Sequence, residues 1–165
     1  MKKAIVFAGL FVSAFLGFQN VVSGISILIR ALHIEGYTME PMVYIGLVLG
    51  VLLLMFAVAG IALMVGSLKS KDENQGYLTS SILLVVCAIT LLIGFMPLKI
   101  VECSQGISAY LEMLKEPDVD SITRGIAESY VAINTIYIVV AVIEATLVAA
   151  LSVLSFVKSE GKKSN

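Results

Sequence analysis

Glu144 stands near the middle of an apolar run, Val131 to Val157, that holds no other charged residue. In a helix that crosses a bilayer, an acid at that depth costs about 2.5–3.5 kcal/mol on insertion scales. Two kinds of chemistry justify the cost. An exchanging carboxyl carries a proton or a cation. A neutral carboxyl makes hydrogen bonds that hold helices, or subunits, together. Gln19 and Asn20 lie at a similar depth in another apolar run, and both amides can donate to a carboxyl oxygen. Tyr137 lies two turns before Glu144 on the same helical face. Glu144, Asn20, Gln19 and Tyr137 are therefore the expected intramembrane polar cluster. No second ionisable residue falls inside any apolar run. A relay normally needs more than one polar station, so the structural role leads and ion carriage is the alternative.

Other reactive residue types are sparse. His33 is the only histidine, which excludes paired-histidine haem ligation within the chain. It makes no metal site with Glu35 alone. The two cysteines, Cys87 and Cys103, are not spaced as Cys-x-x-Cys, which argues against thiol–disulfide exchange. On one continuous helix they would lie about 24 Å apart, too far to bond to each other. Cys87 reads as a small apolar packing residue, and Cys103 as a free thiol or a link to another chain. No nucleophile–base–acid set, phosphate loop or nucleotide motif is present. We expect no enzyme activity of the chain's own, no metal and no cofactor.

The elements that position these groups are four long apolar runs: Ala4–Ile29, Met42–Leu68, Leu78–Leu98 and Val131–Val157. Each reaches the roughly 20 residues that a helix needs to cross a bilayer core about 30 Å thick. None shows the regular polar face of a soluble helix. Charged residues are 14% of the chain against about 25% in soluble domains, which agrees with that assignment. The sequence thus predicts an all-α integral membrane protein, one domain over residues 1–165, with four transmembrane helices in a bundle. Lys2-Lys3 before an apolar run also describes a secretory leader, but the run is too long for a 7–15-residue leader core and has no clean Ala-x-Ala site. A retained first helix is expected.

Loop charges give the orientation. The N-terminus, the loop Lys69–Tyr77 and the C-terminal tail carry Lys2, Lys3, Lys69, Lys71, Lys158, Lys162 and Lys163 against Asp72, Glu73 and Glu160. The loops Arg30–Pro41 and Lys99–Tyr130 carry Arg30, Lys99, Lys115 and Arg124 against Glu35, Glu40, Glu102, Glu112, Glu116, Asp118, Asp120 and Glu128. The positive-inside rule then puts both termini in the cytoplasm of a cell-membrane, multi-pass protein. A net charge of only −1 gives no reason to expect nucleic acid. The longest loop has order of its own. Ile107, Tyr110, Leu111 and Leu114 fall on one helical face, which predicts a short amphipathic helix before the break at Glu116-Pro117. Asp120 or Ser121 is placed to cap a fourth helix that starts well before its apolar run.

Small residues mark faces for close helix approach. Gly9, Ser13, Gly17, Asn20 and Gly24 form a stripe on the first run, Gly46 and Gly50 open the second, and Ala141, Ala145 and Ala149 line the fourth. Their expected partners are the other helices of the bundle and, after those, a second protein.

The loop order, short, short, then long, resembles that of tetraspanins, as does Asn20 in the first span with an acid in the last. The long loop lacks the tetraspanin Cys-Cys-Gly signature. Two hairpins with an acid in the final span also look like the duplicated proteolipid c subunit of rotary ATPases, which would imply proton carriage at Glu144. The first and third spans lack its dense glycine stripes, and the long loop does not suit a tight ring. The expectation is a non-catalytic subunit, held in the lipid bilayer, that packs with or assembles other membrane protein subunits; the alternative is a proton- or cation-translocating subunit using Glu144.

Overall fold

A computed structural model describes residues 2–33, 41–67, 73–116 and 119–157. Glu35, Tyr37, Glu40, Lys69, Lys71, Asp72, Asp118, Lys158, Glu160, Lys162 and Lys163, on which much of the orientation argument rests, lie outside the described residues, as does the side chain of Glu73. The chain is a bundle of four long helices, each long and apolar enough to cross a membrane. They are α1 (Lys2–His33), α2 (Pro41–Ser67), a third helix made of α3 (Glu73–Ile89), a π-helical turn (Thr90–Phe95) and α4 (Met96–Met113), and α5 (Ser121–Phe156). Within hydrocarbon every backbone N–H and C=O must find a partner inside the chain, and apolar runs of this length meet that need as helices.

Local chemistry sets the ends. Pro41 opens α2, where its missing N–H costs nothing. At the end of α1, His33 Nδ1–H donates to the Ile29 carbonyl at 2.7 Å. Asp120, not Ser121, caps α5: its carboxylate accepts from the backbone N–H of Ile122 and Thr123, both at 2.9 Å, and from the Thr123 hydroxyl at 2.7 Å. The Thr123 N–H and hydroxyl, with the Ile122 N–H, hold that exposed carboxyl below its ordinary pKa.

The third helix runs past its expected end. The predicted loop helix exists, but it is the upper part of a helix unbroken from Gln75 to Met113. Lys99 is therefore a helical residue and not the start of a loop. Pro97 sits inside this helix, where its ring would crowd the carbonyl of Ile93 in ideal α geometry. The wider π turn falls immediately before it.

With the Lys2 end called the lower end, the lower half of the bundle is closed. Val6, Leu10, Leu84 and Val148 are completely buried there, and so is Leu53 at mid-height. Its buried hydroxyls are bound to backbone carbonyls: Ser13 to Gly9, Ser80 to Gly60, Ser81 to Tyr77 and Ser155 to Ser152. Tyr77 Oη donates to the Ser155 carbonyl at 2.8 Å and ties α3 to α5. Outward faces are apolar as well. Phe7, Phe11, Phe15 and Phe18 of α1 are exposed and meet the bilayer.

The glycine stripes lie between helices of the bundle. A Cβ at Gly17 would stand 2.7 Å from the Leu54 backbone nitrogen, one at Gly50 3.2 Å from Asn20 Cβ, and one at Gly24 3.0 Å from Leu47 Cδ1. A Cβ at Gly9 would meet Leu84 at 2.8 Å and Leu151 at 3.4 Å; one at Gly46 would only touch Leu98. Ser13 and Ala145 are buried, and Ala141 and Ala149 are partly so. In the upper half the partnership changes. α1 stays on α2, α4 stays on α5, and α1 makes no close approach to α4. The two pairs diverge, and the space between them is the site.

Candidate functional site

Contacts across the helices fix the level of each residue in this space. Gly106 of α4 faces Asn134 of α5, 3.4 Å from its amide, and Tyr110 stacks on Tyr130 with ring centres 4.8 Å apart. Seven residues down each helix from the Gly106–Asn134 contact, Lys99 is level with Ala141. Lower down, Gly9 faces Leu151, and ten residues up each helix Gln19 is also level with Ala141. Gln19 and Lys99 thus share a layer with Asn20. Glu144 lies three residues deeper on α5, about 4.5 Å of rise, level with Leu16.

A cleft of about 350 Å³ joins these groups. Gln19, Asn20 and Ser23 of α1, Lys99 of α4, and Tyr137 and Glu144 of α5 supply its polar lining, and Leu16, Leu91, Phe95 and Met96 the apolar part. A narrower arm, about 70 Å³, continues between α1, α2 and α4 past Asn20, Ser23, Lys99 and Glu102. The structure therefore brings Glu144, Asn20, Gln19 and Tyr137 to one cavity. It does not bond them to each other. Asn20 Nδ2 donates to the Leu16 carbonyl of its own helix at 2.8 Å, not to Glu144. Gln19 and Tyr137 are exposed, and Glu144 is half-buried. The Glu144 carboxyl has no hydrogen bond or ion pair with any described residue.

Lys99 and Glu102 are the residues that the sequence argument missed here. Read as loop residues, they left Glu144 as the lone ionisable group at its depth. Helix continuity puts Lys99 one turn above Glu144 on the wall of the same cleft, paired with Glu102 Oε2 at 2.8 Å. A signal was present. Between Leu98 and Met113 no proline interrupts the chain, and Met96, Ile100, Cys103, Ile107 and Tyr110 keep helical spacing straight through the charges. Cys103 is buried at 2% exposure, so it does not offer the intermolecular disulfide left open above. Both cysteines are free.

Comparison of the chain with family models, characterised proteins and solved structures found no match. The likenesses to tetraspanins and to the proteolipid subunit stay at the level of layout.

Proposed function

We propose that this chain is a non-catalytic four-span subunit that assembles with another membrane protein, and that Glu144 receives a hydrogen-bond donor from the partner's membrane segment. One observation carries this reading: a half-buried carboxyl, in the middle of a membrane helix, faces a cleft and has no partner among the described residues. Such a group in hydrocarbon is costly until something donates to it, and interhelical hydrogen bonds are a main adhesive in bilayers. The Lys99–Glu102 pair beside it favours ion translocation as a second reading. Against that stands the lower half, packed with Val6, Leu10, Leu84 and Val148, its hydroxyls committed to carbonyls. The test is extraction from the native membrane in mild detergent, with mass spectrometry of co-eluting chains. A stoichiometric membrane partner is the expected outcome. A lone stable monomer with turnover of its own overturns the reading.

Both termini are proposed to be cytoplasmic. The support is the cation count of the sequence: seven lysines on the side of the termini, of which Lys2 and Lys3 are among the described residues, against Arg30, Lys99, Lys115 and Arg124 on the other. Single cysteines at positions 159 and 118, probed with an impermeant thiol reagent on intact cells, should react at 118 only. Reaction at 159 alone would reverse the orientation.

A further inference from the structure

We infer that Lys99 is the internal counter-charge of Glu144: its ammonium has two seats, Glu102 on its own helix and Glu144 across the cleft. The inference goes beyond the assembly reading and does not depend on it. Three observations meet here. First, Lys99 and Glu144 line one cavity from adjacent packed helices, with Glu144 three residues below the level of Lys99. A four-carbon stem with free rotation covers that rise. Second, the seat that Lys99 occupies is an open one. The Lys99–Glu102 pair spans one turn of α4 with side chains 42% and 47% exposed, so no packing locks the ammonium in place there. Third, the deeper seat is empty among the described residues and no other cation is placed to fill it. Facing it from α1 are Gln19, Asn20 and Ser23, all neutral, with one Asn20 N–H donated to the Leu16 carbonyl; from α5 comes Tyr137, also neutral, and from the π turn only Leu91 and Phe95. Lys99 is the only cation lining the cleft among the described residues.

The two seats are different states of the site. On Glu102 the ammonium sits at the wall, and the way down to Glu144 is open. On Glu144 it lies across the cleft, with its methylene stem against Phe95 and Met96, and covers the carboxyl. Lys99 then acts as a tethered occupant that any outside donor must displace.

Carbodiimide cross-linking tests this directly. The reagent turns a carboxyl into an O-acylisourea; a neighbouring amine attacks the carbonyl carbon, an amide forms and a urea leaves. The full chain in phosphatidylcholine vesicles, treated with dicyclohexylcarbodiimide and digested, should yield Lys99–Glu144 as well as Lys99–Glu102 linked peptides. In Glu102→Gln, which removes the upper seat, the Lys99–Glu144 product should rise several-fold. If the parent yields only the Lys99–Glu102 link, and Glu102→Gln leaves Glu144 solely with an N-acylurea adduct, Lys99 does not reach Glu144 and the inference fails. Neither result touches the assembly reading, because the vesicles contain no partner.

Discussion

Gly17→Ala is expected to destabilise the bundle by about 1–3 kcal/mol, the usual range for forcing extra methylenes into a packed core. The added Cβ would stand 2.7 Å from the Leu54 nitrogen, 3.0 Å from its Cα and 3.1 Å from the Gly50 carbonyl oxygen. All three are backbone atoms, so no rotamer change relieves the contact and α1 must move off α2. The comparison within the chain is sharp. At Gly60 and Gly9 the atoms met are the tips of Leu10 and Leu84, at 2.8–2.9 Å, which can turn aside. At Gly66 and Gly125 a Cβ meets nothing within 4 Å, and alanine there should be neutral or stabilising. Unfolding by sodium dodecyl sulfate in mixed micelles, followed by helicity, ranks the variants. Equal stability of Gly17→Ala and Gly66→Ala would show that α1 and α2 do not pack through Gly17.

Glu144→Leu and Glu144→Gln are expected to part company. Glutamine keeps the shape and most of the hydrogen bonding and loses only the titratable proton. Under the assembly reading it should recover the complex at nearly parental yield. Leucine removes the acceptor, and should weaken assembly by about 1–2 kcal/mol, the scale of an interhelical hydrogen bond in membranes. That is roughly a five- to thirty-fold loss in the association constant. Under ion translocation the pattern reverses: Glu144→Gln assembles but loses proton-coupled flux. Complex yield and flux in vesicles, measured on both variants, separate the two. A Glu144→Leu chain that assembles and performs like its parent would refute both.

The membrane helices were legible because long apolar runs have few other physical solutions. The polar cluster was legible in part. Depth along each run placed Glu144, Asn20, Gln19 and Tyr137 together, and they do share a cavity. Depth does not say which carbonyl a side chain will choose, and Asn20 chose Leu16. Lys99 was lost because a charge after an apolar run reads as the membrane boundary. Its helix continues instead, supported by α5 through Gly106, Tyr110 and Tyr130. The pairing of each glycine with its neighbour is a tertiary fact that spacing alone does not contain.

The π turn at Thr90–Phe95 sets the angular phase of everything above it. Taking in one extra residue rotates the helix beyond it by about 100° relative to an unbroken α-helix. Lys99, Cys103, Gly106 and Tyr110 all lie on the far side of that rotation, and each meets its surroundings only in the shifted phase. A chain one residue shorter between positions 90 and 95 would keep every span long and apolar enough to cross a membrane. Its Lys99 would swing away from Glu144, and its Tyr110 away from Tyr130. In this molecule the direction in which the charges face is written in a residue count, and composition carries no trace of it.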